Sequence, residues 1–179
     1  FKNIAFTFFY QIIAIASGFI IPKLIIKNYG SNVNGLINSI AQFLAYIYIA
    51  EGGISVVIKY LLYKPIANKD HDEIEKILKS SQRFLKHILY IYIVYVIVLS
   101  IIYPKIVANS FDKYFTIMLV IIIAVSRFSE YFMSMEYNLF IQANQESHII
   151  SIINSITVIL NTIITVVLIN LKCSIITVK

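Results

Sequence analysis

Three charged residues lie deep inside two long apolar segments of the chain. Glu51 falls within segment 34–62, and Arg127 and Glu130 fall within segment 114–141. A charge near the middle of a bilayer costs roughly 3 kcal/mol on insertion scales, so such side chains usually face a partner, a water-filled cavity or a permeating solute. A guanidinium placed there can bind an anionic group bidentately, whereas a carboxylate can exchange a proton or bind a cation.

The three charges are expected at similar depths in the membrane. Counted at about 1.5 Å per residue from the outer ends of their segments, Glu51 lies about 26 Å down, Arg127 about 20 Å and Glu130 about 24 Å. An ion pair of Arg127 with Glu51, or with Glu130 at i, i+3, would neutralise this layer without any ligand. A binding site and a structural ion pair are both open interpretations. Lys59, two turns beyond Glu51, is expected to extend toward the cytoplasmic boundary.

The elements that carry these charges are predicted to be membrane-spanning helices. The chain has 179 residues, of which 59% are hydrophobic and 13% charged, and its mean hydropathy is +0.82. A soluble domain of this size would not stay in solution with such a composition. The predicted fold class is an all-α polytopic membrane bundle, because each apolar segment meets the ~20 residues that a crossing needs. The five predicted spans are 4–26, 34–62, 88–107, 114–141 and 149–171.

Basic residues collect between the second and third predicted spans. Because Lys and Arg are enriched in cytoplasmic loops, the N-terminus and the 64–87 loop are predicted to be cytoplasmic. Pro65 should end the second span, and Asp70 with Glu73 should cap an amphipathic helix lying at the membrane interface. Acidic residues offset the basic residues of this loop, so its charge does not indicate nucleic-acid binding. The loop favours contact with membrane lipid headgroups, or it serves as a solvated linker.

Polar residues repeat at helical spacing along four of the five spans. The stripes are Asn3, Thr7, Gln11, Ala14 and Gly18 in the first; Asn34, Asn38 and Gln42 in the second; Arg127, Glu130, Ser134, Asn138 and Gln142 in the fourth; and Ser151, Asn154, Ser155, Asn161, Thr162 and Thr165 in the fifth. Helix packing alone explains Ser, Thr, Asn and small side chains, whereas full charges in addition to the amides point to a cavity. The third span has no such stripe and should mostly face lipid.

Two places are candidates for a bend in a membrane helix. Gly52 and Gly53 directly follow Glu51, and adjacent glycines allow a helix to unwind beside a cavity. Pro22 removes a backbone hydrogen bond within the first span. These three residues are the hinge candidates.

Nothing in the sequence indicates metal, redox or phosphate-cleaving chemistry. Cys173 is the single cysteine, and the three histidines are far apart without metal-ligand spacing. No Gly-rich loop ends in Lys followed by Ser or Thr. We therefore expect no cofactor, no metal site and no enzymatic activity.

Several short motifs together resemble a known family. They are Tyr29-Gly30-Ser31, Asn34-Gly35-Leu36, Ser39-Ile40, Glu51-Gly52-Gly53, Leu62-Tyr63-Lys64-Pro65, and the stretch from Glu130-Tyr131-Phe132 to Gln142-Ala143-Asn144-Gln145. This set is similar to the N-terminal part of bacterial polysaccharide biosynthesis flippases, which belong to the multidrug, oligosaccharidyl-lipid and polysaccharide exporter superfamily. The resemblance covers essentially the whole chain.

The resemblance implies a two-lobed exporter of the bacterial plasma membrane. This chain would supply most of the N-terminal lobe, with a missing C-terminal lobe forming the other wall of a central cavity. Such flippases move undecaprenyl-pyrophosphate-linked oligosaccharide repeat units to the outer leaflet by alternating access. Polymerisation into capsule, exopolysaccharide or O-antigen follows, so polymerase and glycosyltransferase machinery are the expected partners.

Roles for individual residues follow from that resemblance as expectations. Arg127 would bind the pyrophosphate, and Lys59 would assist near the entry. The carboxamides of Asn38, Gln42 and Asn161 would meet sugar hydroxyls, while Glu51 or Glu130 would couple transport to a proton or cation. Two alternatives stay open. One is a multidrug or organic-cation antiporter of the same superfamily, and the other is a membrane assembly protein without a transported substrate.

Overall fold

The computed structural model describes residues 1–46, 53–132 and 135–179, and the side chains of these residues except 130–136. Every regular element in these ranges is a helix, in agreement with the all-α prediction. The helices are α1 (Lys2–Tyr29), α2 (Ser31–Ala45), α3 (Ile54–Asn68), α4 (His71–Ile106), α5 (Lys113–Phe132), α6 (Met135–Ala143), α7 (Ser147–Asn170) and α8 (Ile175–Val178).

Three of the described helices, α1, α4 and α7, are long and apolar enough to cross a membrane. Their apolar surface is mostly uncovered, since none of the most apolar stretch of α1 is buried, and only 22% and 17% of those of α4 and α7 are. Apolar surface on this scale needs lipid or further apolar helices around it. These three helices suggest a helical membrane protein.

The chain divides into two units. Unit 1 comprises residues 1–39 and 146–179, and unit 2 comprises residues 40–145. Unit 1 is dominated by the packing of α1 against α7, with α8 folded back on α7. In unit 2, α4 packs against both α3 and α5, and α3 packs against α6.

In unit 1, α1 and α7 are parallel along their whole length. Their hydrogen bonds join residues that are always 144 or 145 positions apart, from Asn3 with His148 at one end to Tyr29 with Cys173 at the other. A constant difference in residue number requires parallel helices, because antiparallel helices would keep a constant sum instead. If both helices cross one membrane, the chain between them crosses it an odd number of times.

In unit 2, α3, α6 and the first half of α4 enclose an apolar core. The buried members are Ile58, Leu62, Ile74, Leu85, Leu139 and Ala143. The Asp70 carboxylate accepts a hydrogen bond of 3.0 Å from the backbone N–H of Glu73, which confirms the predicted cap of the helix that starts there. The prediction that Pro65 ends a helix is wrong, because α3 continues through Pro65 to Asn68. Since α3 and α4 are joined only by Lys69 and Asp70, they form an antiparallel hairpin.

The helix α4 combines two segments that were predicted as separate elements, the 64–87 loop and the span 88–107. Its charged half, residues 71–86, holds seven of the chain's charged residues, whereas the apolar half, residues 87–106, holds only Lys105. A helix of 36 residues is about 54 Å long, well above the ~30 Å of hydrocarbon that it has to cross. The predicted separate helix lying in the interface is therefore corrected: the charged half and the apolar half form one continuous helix, which is longer than a single crossing needs.

The predicted second span is divided between two helices in the structure. Within it, α2 ends at Ala45 and α3 begins at Ile54, while residues 47–52 lie outside the described residues. Gly53 precedes α3 with φ of 78°, a left-handed backbone conformation that L residues rarely adopt. By contrast, α1 continues as one helix through Pro22.

Candidate functional site

Hydroxyl groups of the predicted stripes, together with Ser17, which the stripe on α1 did not include, lie in the contact between α1 and α7. Thr7 Oγ1 and Ser151 Oγ are 3.0 Å apart, and Ser17 Oγ and Thr162 Oγ1 are 2.7 Å apart. At the N-terminal end, Asn3 Oδ1 accepts from the backbone N–H of His148 at 3.0 Å. Small and hydroxyl side chains let membrane helices approach closely while every polar atom keeps a partner. We call this contact the hydroxyl seam.

Buried hydroxyls of α7 also bond to their own helix. Ser155 Oγ donates to the Ser151 carbonyl at 2.7 Å, and Thr162 Oγ1 donates to the Val158 carbonyl at 2.7 Å. Ser151, Ser155 and Thr165 are all buried. Since Ser and Thr can return their hydroxyl proton to the preceding turn, they are polar residues that an apolar contact tolerates at low cost. Packing therefore accounts for the hydroxyl members of the predicted stripe on α7.

Three carboxamides of the same stripes, unlike Asn3, remain exposed. Gln11 on α1 and Asn154 and Asn161 on α7 are all exposed, although both helices are candidate membrane spans. Gln11 follows Thr7 by one turn, and Asn154 and Asn161 each precede a seam residue, Ser155 or Thr162, by one position. All three side chains thus lie beside the hydroxyl seam and not within it.

The three carboxamides flank the seam on the same side. At about 100° per residue, Gln11 is rotated forward from the seam of α1, whereas Asn154 and Asn161 are rotated backward from the seam of α7. When two parallel helices face each other, forward rotation on one and backward rotation on the other lead to the same side of the pair. Gly18 lies on that side as well, and a Cβ added to it would meet nothing within 4 Å. We call this surface the carboxamide face.

The other carboxamides predicted as site residues lie on α2. Asn38 and Gln42 are four residues apart and both exposed, so they share one face of that helix. Leu36, Ile37, Ile40 and Leu44, which lie on another side of the helix, are buried. The helix α2 therefore buries its apolar side and leaves the predicted polar side open.

Lys59 is half-buried between α3 and α6. Its Nζ donates a hydrogen bond of 3.0 Å to Gln142 Oε1 on α6. The partner is a neutral amide, which satisfies one of the three donors of the ammonium without cancelling its charge. The sequence placed Lys59 and Gln142 on separate spans without pairing them, since a contact 83 positions apart leaves no signal in local spacing.

The charged layer predicted from the sequence is described only in part. Arg127 is half-buried in the last two turns of α5. Glu51 and Gly52 lie outside the described residues, and Glu130 lies on α5 with its side chain outside the description. Both interpretations of the layer, an ion pair or a binding site, therefore stay predictions.

Two tyrosines of α4 have a role that the sequence did not reveal. Tyr92 Oη donates to the Ala124 carbonyl on α5 at 2.8 Å, and Tyr95 Oη donates to the Phe43 carbonyl on α2 at 2.8 Å. Phe43 also contacts Tyr103, with ring centroids 5.5 Å apart. A phenol can cross an apolar contact and bind a backbone carbonyl of the next helix. The apolar half of α4 thus anchors α2 and α5, although many of its other side chains are exposed as predicted.

The charged half of α4 borders two open grooves. One groove, of about 510 Å³, lies between α4 and α6, and the other, of about 520 Å³, lies between α4 and α3. Lys79 forms an ion pair with Glu75 on the rim of the first groove. The pKa of the Glu75 carboxyl is lowered, first by that hydrogen bond and second by the charge of Lys79. Because charges of both signs line each rim, neither groove favours a ligand of one charge.

Among the described residues, no cluster of three or more His, Cys, Asp or Glu side chains could hold a metal ion. No protein-family model, curated protein or solved structure matches the chain.

Proposed function

We propose that the chain is part of a membrane transporter that flips undecaprenyl-pyrophosphate-linked oligosaccharide repeat units for capsule, exopolysaccharide or O-antigen synthesis. The substrate would combine a lipid tail, an anionic pyrophosphate and a sugar portion rich in hydroxyl groups. The protein surface that accompanies it needs neutral hydrogen-bonding groups for the sugar and cations for the pyrophosphate.

The observation that carries this proposal is the carboxamide face. Gln11, Asn154 and Asn161 are exposed on helices whose remaining exposed surface is mostly apolar. An amide without a hydrogen-bonding partner in hydrocarbon costs several kcal/mol, so this face is unsuited to lipid. Water or sugar hydroxyls in a transport path would supply the missing partners, since a carboxamide both donates and accepts.

Basic groups in unit 2 suit the anionic part of the substrate. The Lys59 ammonium donates to the amide oxygen of Gln142, a neutral partner that does not cancel a positive charge. Arg127 is half-buried at the end of α5, and its planar guanidinium can bind two phosphate oxygens at once. These observations support cationic sites for a pyrophosphate that enters from the cytoplasmic side.

The direction of the helices supports an odd number of crossings, and we propose five. The parallel arrangement of α1 and α7 fits any odd total, and α1, α4 and α7 account for three. We propose that one of the other two crossings begins with α2 and that α5 forms the other. Both helices pack on the apolar half of α4, which supports this assignment. This path puts α3, α6 and the charged half of α4 together on the cytoplasmic side.

Substitution of Arg127 in the intact transporter tests the flippase directly. Arg127→Ala should reduce polymer export by roughly tenfold or more, the loss expected for a charge-assisted bidentate contact of ~1.5–3 kcal/mol. Lys113→Gln at the exposed start of α5 is the control and should export normally. Normal export by Arg127→Ala at equal protein level would rule out the pyrophosphate role.

Water accessibility separates a transporter from an assembly protein. In a Cys173→Ser background, Asn161→Cys should react with a membrane-impermeant maleimide, whereas Leu160→Cys, one residue away and facing away from α1, should not. Equal protection at both positions would mean that the carboxamide face is covered by other helices. Uptake or efflux of organic cations by the intact protein, with no effect on polymer export, would favour the antiporter instead.

A further inference from the structure

The helix α3 presents an apolar, tyrosine-containing surface that no described part of unit 2 covers. Val56 and Tyr60 are 64% and 73% exposed, and Val57, Leu61 and Tyr63 are also exposed. The opposite side of the helix, with Ile58 and Leu62, is buried against α4 and α6. We call the exposed side, which also carries Lys64, the outer face of α3.

The position of this face relative to the membrane follows from α4. The apolar half of α4 ends near Tyr103, just before Pro104 and Lys105. A hydrocarbon core of ~30 Å corresponds to about 20 helical residues. Counting back from Tyr103 therefore puts the cytoplasmic edge of the hydrocarbon near Arg83, whose long side chain can reach the headgroups.

The packing of α3 against α4 gives the depth of the outer-face residues relative to the same hydrocarbon edge. The two helices form an antiparallel hairpin joined at Lys69 and Asp70, and residues of both line one groove. In such a hairpin, residues at the same level have numbers that sum to about 139, so Val56 lies at the level of Arg83 and Tyr60 near that of Lys79. Further from the hydrocarbon, Lys64 lies near the level of Glu75. The outer face runs from the acyl boundary through the headgroup layer.

The type of side chain changes along the outer face from apolar to aromatic to basic, which is the order expected across a membrane interface. The valines come at the acyl boundary, Tyr60 at the headgroup level and Lys64 beyond it. Tyrosines concentrate at headgroup depth because one end of the ring is apolar and the other is polar. Lys64 and Lys69 are exposed and the segment 54–69 contains no Asp or Glu, which favours contact with phosphate-bearing headgroups.

We propose that the outer face of α3 binds the phospholipid interface, with Val56 and Val57 at the acyl boundary, Tyr60 among the headgroups and Lys64 at their phosphates. The helix fixes the level at which unit 2 sits in the bilayer. This role does not depend on the identity of a transported substrate.

Tryptophan fluorescence provides the test, since the chain contains no tryptophan. Tyr60→Trp and Val94→Trp are made separately and reconstituted in vesicles whose lipids carry bromine either near the headgroup or near the end of the acyl chain. Val94 is exposed on α4, about midway between Arg83 and Tyr103, and serves as the control for depth. Trp at position 60 should be quenched about twofold more by the shallow bromines, and Trp at position 94 more by the deep ones.

Each other result would overturn the proposal. Stronger quenching of position 60 by the deep bromines would place α3 in the hydrocarbon. Quenching by aqueous iodide alone would place it in water, and protection from every quencher would mean that protein covers the face. A Lys64→Glu change in the Tyr60→Trp protein should weaken shallow quenching in vesicles containing phosphatidylglycerol, and an unchanged ratio would remove Lys64 from the contact.

Discussion

Two groups of helices in this chain distribute polarity in opposite ways. In the α1–α7 pair, hydroxyl side chains such as Ser151, Ser155 and Thr165 are buried while phenylalanines such as Phe8 and Phe19 are exposed. In the cluster of α3, α6 and the charged half of α4, aliphatic side chains are buried, and the charged side chains of that half of α4 are exposed.

We attribute the difference to the solvent that each group is proposed to meet. In lipid, apolar burial provides no driving force between helices, so close packing and hydrogen bonds hold them together. Where water has access, removing apolar area from it is worth about 25 cal/mol per Å² and dominates. The α1–α7 pair has the organisation expected inside a bilayer. The α3–α4–α6 cluster is organised as a small aqueous domain, except on the outer face of α3.

The largest effect should come from opening the core of the cluster. Leu62 is fully buried, so Leu62→Ala should lower the free energy of unfolding by about 2–5 kcal/mol through lost transfer energy and a residual cavity. The matched control is its neighbour Leu61, which is 49% exposed and should lose much less. Denaturant titration in detergent micelles measures both. Equal losses would mean that the cluster is not held by apolar burial.

Overfilling the hydroxyl seam should have the next largest effect. Ser155 is buried between α1 and α7, and Ser155→Leu would force the helices apart at a cost of about 1–3 kcal/mol. The adjacent Ile156→Leu, on an exposed position, should be close to neutral. A seam that accepts leucine without loss of stability would contradict the close packing proposed for the pair.

Removal of the cap on α4 should affect the charged half of that helix by about 1 kcal/mol. Asp70→Ala leaves the Glu73 N–H without its acceptor. Asp70→Asn keeps an N-cap acceptor and is the control. Hydrogen exchange of amides at 71–75 reports the change locally. Exchange that stays as slow in Asp70→Ala as in the parent would show that tertiary contacts alone hold this end.

The smallest effect concerns one hydrogen bond of the seam. A double-mutant cycle of Thr7→Val with Ser151→Ala should give a coupling energy of about 0.6 kcal/mol, the average for such bonds in membrane proteins. The pair Thr7→Val with Thr157→Val is the control, because Thr157 is exposed and donates to its own helix, and its coupling should be near zero. Similar coupling energies in both cycles would show that the hydrogen bond between Thr7 and Ser151 does not stabilise the α1–α7 pair.

Helical spacing predicted which residues share a face, and the structure agrees at several positions. Asn3, Thr7, Ser151 and Thr162 do belong to polar sides of their helices, and Asp70 does begin a helix. Spacing could not separate the hydroxyls from the carboxamides, because both recur every three or four residues. Along the middle of the pair the smaller hydroxyls pack between the helices and bond to their own backbone, whereas Gln11, Asn154 and Asn161 stay exposed, and Asn3 bonds across the pair only at its end.

Local sequence pattern could not predict where two segments form one continuous helix or which helices pack together. Segment 64–87 reads as a separate loop because its charges interrupt the hydropathy, yet helix formation depends on backbone hydrogen bonds that charged residues do not break. Its second half is therefore continuous with the third span. Likewise, the Lys59–Gln142 bond joins residues 83 positions apart, and the phenols of Tyr92 and Tyr95 find carbonyls on other helices.

The sequence by itself determined the class of this protein, because only a membrane offers a favourable environment to so much apolar surface. It also determined which segments are helical and which polar side chains lie along them. The tertiary structure alone decided which of these side chains pair across helices, which remain open, and that α3 lies beside the charged half of α4. Helix periodicity sets the direction in which a side chain points, but only packing sets what it meets there.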